Sequence, residues 1–104
     1  FDVRSAANPH WVPELRPLDG RSKEISDYVL GDVVGAELTA SILGYLKETL
    51  AAYLADGRGR LSIAIGCTGG RHRSVAIVEA LAKGLAPVAD GAPIVVEHRD
   101  ILRS

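Results

Sequence analysis

The run Leu61-Ser62-Ile63-Ala64-Ile65-Gly66-Cys67-Thr68-Gly69-Gly70-Arg71-His72-Arg73-Ser74-Val75-Ala76-Ile77-Val78-Glu79-Ala80-Leu81-Ala82-Lys83-Gly84-Leu85 decides how this chain is read. Leu61, Ile63 and Ile65 alternate with small residues and stop at Gly66, the period of a strand. From Val75 to Leu81 the residues are almost wholly apolar and rich in alanine, which suits a buried helix. The stretch therefore predicts strand, tight turn, helix. Gly66, Gly69 and Gly70 open backbone angles that side chains close, and three side chains able to carry positive charge follow in a row: Arg71, His72 and Arg73.

Cations at a helix start oppose the helix dipole, each at a cost of about 0.3–1 kcal/mol when exposed. An anion held among the loop N–H groups, the Thr68 and Ser74 hydroxyls and Arg73 removes the conflict, as phosphate does at other glycine-rich helix starts. The alternative is a solvated turn whose arginines point into water.

Downstream, Lys83-Gly84 predicts the helix end, Pro87 to Pro93 a surface loop, and Ile94-Val95-Val96 a second β-run leading into Glu97-His98-Arg99-Asp100. Strand, helix and strand in this order make a βαβ unit with parallel strands and a right-handed crossover. The expected fold class is α/β, a small parallel or mostly parallel sheet with flanking helices. Its 104 residues suffice for one domain.

Upstream, Asp56 to Arg60 reads as a turn. The segment from about Glu37 to Ala55 carries an apolar stripe of Leu38, Ile42, Tyr45, Leu46, Thr49, Leu50 and Tyr53 at helical spacing. Asp19 or Ser22 caps a shorter helix that runs to Leu30 and breaks at Gly31. Between Asn8 and Pro17, the prolines at 9, 13 and 17 predict a stiff irregular loop with His10 and Trp11 at its centre. Trp11 is read as an apolar anchor for that loop, and His10 as either a second anchor or a ligand. Phe1 to Arg4 alternates like a further strand.

In an open parallel sheet, ligands bind beyond the carboxyl ends of the strands. The first run would lead to Asn8 and His10, the central run to Thr68 through Ser74, and the last to His98 and Arg99. All three histidines and several arginines, Arg71 among them, would gather along one edge. That inventory suits a phosphorylated small molecule, phosphate or sulfate. Histidines facing a phosphate would make its affinity fall as pH rises.

Other classes fit less well. No Lys-Ser/Thr ending completes a Walker loop after Gly66, and G-x-G-x-x-G does not occur. His10, Cys67, His72 and His98 show no metal-ligand spacing, so no metal is expected. No apolar run approaches the roughly 18 residues of a membrane span. One cysteine and a net charge of −1 fit the cytoplasm and argue against coating nucleic acid by bulk charge, although Arg58, Arg60, Arg71 and Arg73 can still meet phosphates. The absence of methionine is read as a piece of a longer polypeptide or a trimmed start.

The competing enzyme reading is specific. Cys67 to Ser74 fits Cys-x5-Arg-Ser, in which a thiolate nucleophile (Cys67) attacks phosphorus while Arg73 and loop N–H groups hold its oxygens. It needs a general acid, for which Glu14 or Asp19 would have to swing in. The other reading of Cys67 is a small packed side chain. A third class is self-association through the sheet edge or the helix from Leu38 to Leu54.

Asn8-Pro9-His10-Trp11, Leu15-Arg16-Pro17-Leu18, Ser26-Asp27-Tyr28-Val29, the central motif from Ile63 to Ile77, and His98-Arg99 together resemble the C-terminal domain of the RapZ or YvcJ family of nucleotide-binding RNase adapters. The similarity spans nearly the whole chain. It implies a phosphofructokinase-like subdomain without enzymatic activity or cofactor of its own, and an absent N-terminal P-loop NTPase domain that binds ATP or GTP. In enteric members this domain binds glucosamine-6-phosphate and small regulatory RNAs, delivering one to RNase E, and the protein is an oligomer. The resemblance implies sugar-phosphate ligands at His10, Thr68, Gly69, Gly70, His72, Arg73 and Ser74, with Asn8, Arg71, His98 and Arg99 as further candidates. The end Asp100 to Ser104 lacks the lysine-rich tail of RNA-binding members, so a regulatory protein is an equal partner class to RNA.

Overall fold

The computed structural model describes residues 1–57, 60–68 and 70–99. A 3-10 turn, Pro9–Trp11, precedes three helices: α1 Lys23–Gly31, α2 Val33–Ala55 and α3 Arg73–Leu85. The turn is set by Asn8, whose side chain accepts the His10 N–H. At α1, the Ser22 hydroxyl donates to the Asp19 carbonyl, so Ser22 occupies the cap position without capping.

α2 begins four residues before the expected start. Asp32 caps it, accepting the Gly35 N–H at 3.2 Å, and so recruits Val33 to Ala36 into the first turn. α1 and α2 meet at 88°. No single helix among the described residues is long and apolar enough to cross a membrane.

α3 also outruns its expected end, because Gly84 lies inside it. A Cβ there would come within 2.7 Å of the Leu43 side chain, so the missing side chain lets α3 close on α2 rather than stopping the helix.

The three helices pack on one another around Ile25 and Val29 of α1, Ile42 and Leu46 of α2, and Ala76, Ile77, Leu81 and Leu85 of α3. Val3 and Ala6 of the leading segment close the same cluster. Each large aliphatic side chain removed from water contributes about 1.5–3 kcal/mol. Of the expected α2 stripe, Ile42 and Leu46 are buried, whereas Tyr45 faces outward and meets Phe1 edge to face at 6.0 Å.

The α/β expectation is overturned: among the described residues there is no sheet. What remains of it is a single parallel bridge, Asp2 to Gly66. Around that bridge the Phe1 nitrogen donates to Ala64 O at 2.6 Å, Gly66 N to Phe1 O at 2.7 Å and Val3 N to Gly66 O at 2.8 Å. The runs at 61–65 and 94–96 carry no strand pairing, and Val95 is 81 % exposed. Both line an open groove of about 1370 Å³. The physical reason is that alternation of apolar residues marks backbone suited to extension, while pairing needs a partner brought from far along the chain. Here the helices pack chiefly on one another, and the two extended runs border a groove that Leu50 and Leu54 of α2 and Val78 and Ala82 of α3 also line.

Candidate anion site at the start of α3

Gly66 leaves the bridge with Asp2 and the chain turns through Cys67, Thr68 and Gly70, whose φ of +69° is the left-handed conformation glycine adopts freely. His72 precedes α3 without a side-chain cap. The cap is supplied by sulfur: Ser74 N–H donates to Cys67 Sγ at 3.3 Å, and the thiol lies 3.3 Å from Ser74 Oγ, to which it donates. One of the free N–H groups at the positive end of the helix is thereby satisfied.

The three basic side chains that follow turn inward, each onto backbone carbonyls of the N-terminal loop. Arg71 Nη2 donates to Pro17 O at 3.0 Å, while its Nε is buried with no partner among the described residues. Gly20 N returns a bond to Arg71 O at 2.7 Å. His72 Nε2 lies 2.7 Å from Leu18 O, and since a carbonyl only accepts, that nitrogen carries the proton. Arg73 Nη1 donates to Arg4 O and Ala6 O.

Arg73 is only 5 % exposed and has no carboxylate partner among the described residues. A buried cation faced by neutral dipoles alone leaves positive charge uncompensated, an expensive arrangement unless an anion comes close. Its position at the first residue of α3 adds the helix dipole to the same sign.

The sequence candidates divide between two places. Thr68, Gly70, Ser74, His98 and Arg99 line the groove, together with Cys67. Asn8, His10, Arg71, His72 and Arg73 do not line it. Gly69, Arg58 and the segment 100–104 lie outside the described residues.

His10 is exposed, its ring edge-on to Trp11 at 5.5 Å, its N–H on Asn8 Oδ1 and its carbonyl accepting Arg16 Nε at 2.9 Å. Trp11 is 75 % exposed, so the anchor expected of it is instead the fully buried Pro9. His98 is mostly buried, with Nε2 3.7 Å from Glu79 Oε1 on α3. Among the described residues no hydrogen bond or ring contact joins any two of the three histidines.

Sequence reasoning missed the acceptors. The carbonyls of Arg4, Ala6, Pro17 and Leu18 have no side-chain signature; the one hint was Leu15-Arg16-Pro17-Leu18 among the motifs carrying the family resemblance.

For acid catalysis, side-chain hydrogen bonds from Arg21 hold the Asp19 carboxyl below its usual range, with burial opposing. An ionised Asp19 is in the wrong state to donate a proton. Among the described residues no three His, Cys, Asp or Glu groups converge in an arrangement able to hold a metal ion.

A family model described as the RapZ C-terminal domain matches residues 1–102. Similar curated proteins, each named a nucleotide-binding protein, come from several bacteria. One from Rhodococcus jostii is 46 % identical over 102 residues, 98 % of this chain and 33 % of the relative. One from Corynebacterium diphtheriae is 44 % identical over 104 residues, 100 % of this chain and 34 % of the relative. One from Streptomyces coelicolor is 46 % identical over 102 residues, 98 % of this chain and 33 % of the relative. The chain thus spans about a third of the length of these relatives.

Proposed function

Because this chain belongs to the RapZ C-terminal domain family, we propose that it is a regulatory ligand-binding domain that senses an amino-sugar phosphate at the turn before α3 and relays occupancy to an RNA or a regulatory protein. It performs no chemistry of its own. The observation that carries this reading is the nearly complete burial of Arg73 at the helix start with only carbonyl partners among the described residues. Thr68 and Ser74 hydroxyls and the loop N–H groups, on the groove side, supply directional bonds to phosphoryl oxygens. His98 and Arg99, which line the same groove, offer contacts to the sugar or a further oxygen. On this reading ATP or GTP belongs to the part of the relatives that this chain does not span, and the protein works in the cytoplasm as an oligomer.

Calorimetric titration with glucosamine-6-phosphate tests it. Binding is expected, and Thr68→Ala together with Ser74→Ala should weaken it by about 1–2 kcal/mol, roughly 5- to 30-fold, with the fold intact. Absence of binding heat in the parent chain, or equal affinity in the double variant, removes the reading.

A second reading, a phosphatase with Cys67 as nucleophile, is favoured by one observation, the placing of Cys67 Sγ against the start of α3, 3.3 Å from the Ser74 N–H. Commitment of Arg73 to Arg4 and Ala6 stands against it, since that side chain would have to hold the phosphoryl group. Turnover of an aryl phosphate, abolished by Cys67→Ser, would establish it; a flat baseline dismisses it.

A further inference from the structure

We propose that ligand occupancy and docking of the leading segment, residues 1–7, compete for one side chain, Arg73, so that anion binding loosens that segment. The inference rests on the anion reading above and adds its regulation. The groups facing the groove at the turn are Thr68, Gly70 and Ser74, whereas the Arg73 guanidinium lies outside the groove lining, under the leading segment, held by the Arg4 and Ala6 carbonyls. To meet an anion in the groove, Arg73 lets go of those carbonyls. The exchange is favourable at the guanidinium, because a phosphoryl group brings the opposite charge and a bidentate geometry that two neutral carbonyls do not offer.

The segment it leaves keeps other ties, Phe1 edge to face on Tyr45 among them, so what the anion frees is the backbone around Arg4 to Ala6. Val3 and Ala6 pack into the helical cluster, and the backbone bonds to 64–66 hold the remainder. Those bonds end at Gly66, where the turn that receives the anion begins, so the ligand acts on both attachments at once. Arg71 and His72, by contrast, hold the loop at Pro17 and Leu18 and are not drawn into the exchange. Linkage makes the effect reciprocal: whatever clamps residues 1–7 in place weakens the anion by the same factor.

Hydrogen exchange on the 104-residue chain, with and without saturating glucosamine-6-phosphate, reads this out directly. The Val3 and Ala6 amides, bonded to Gly66 O and Val3 O, should exchange at least about fivefold faster in the bound state, with the α2 amides unchanged. In Arg73→Lys they should be fast already and respond little to ligand. Binding by calorimetry with unchanged or slower exchange at Val3 and Ala6 overturns this inference and leaves the sensor reading standing. Absence of binding overturns both. If Arg73→Lys does not fold, the parent chain alone decides.

Discussion

The body of α3 and its first turn are both buried, yet they are held by opposite means. From Val75 to Leu85 the helix inserts Ile77, Leu81 and Leu85 among side chains of α1 and α2, a contact that needs volume and no particular partner atom. Over the preceding three residues it buries His72, Arg73 and Ser74, and their polar contacts are directed: an N–H to a named carbonyl, an N–H to sulfur, or a thiol to a hydroxyl. The difference teaches where function resides. A packed face tolerates exchange of one hydrocarbon for another, while a polar turn whose donors are already engaged can switch partners when a better acceptor arrives.

Substitutions that break this comparison should differ in kind as well as size. Ile77→Ala, at a position with no exposed surface, should destabilise by about 2–5 kcal/mol in denaturant titration, since the cavity adds to the lost transfer energy. Val95→Ala on the groove rim should change stability by less than about 0.5 kcal/mol. A rim substitution matching the core one would mean that 94–96 is packed in solution.

At the polar turn, His72→Phe keeps volume and removes the bond to Leu18, and should cost about 1–3 kcal/mol while leaving that carbonyl unpaired. If it proves neutral in the same titration, the directed contacts are incidental to folding. Asp32→Ala, which removes the α2 cap, should cost about 1 kcal/mol, with the loss of helix signal confined to the first turn of α2.

The smallest effect concerns the exposed end of the leading segment. Hydrogen bonds from the Arg4 side chain, then from its backbone, lower the Asp2 carboxyl from 3.8 to about 2. A depressed folded-state value means that this pair's stabilising contribution is fully present above pH 3.8 and is lost as pH falls through about 2. Asp2→Asn should therefore be slightly less stable than the parent at neutral pH and converge with it in acid. Because the pair is open to water the gap should be small, and a gap that widens on acidification would contradict the assignment.

How much of this was legible beforehand follows from the range of each interaction. α1 and the body of α2 were readable from apolar spacing and from Gly31, because a helix is written in residues three and four apart. Asp32 was the overlooked cap that moved α2 forward, and Gly84 was misread as a stop because its neighbour Leu43 belongs to another helix. The exposure of Trp11 was not legible either: its size argued for burial, yet the proline loop turns it outward and tucks Pro9 beneath.

Sequence alone determined the family, the presence of the three helices, and the meeting of a glycine turn with three basic side chains at a helix start, since all are matters of near neighbours or of motif. Tertiary structure alone decided that the extended runs leave no sheet among the described residues. It also decided that His72 and Arg73 face inward to carbonyls 54 and 69 residues away. The reason is physical: spacing along a chain specifies which conformation a segment prefers, whereas the choice of strand partner or hydrogen-bond acceptor depends on which distant segments the packing brings within reach.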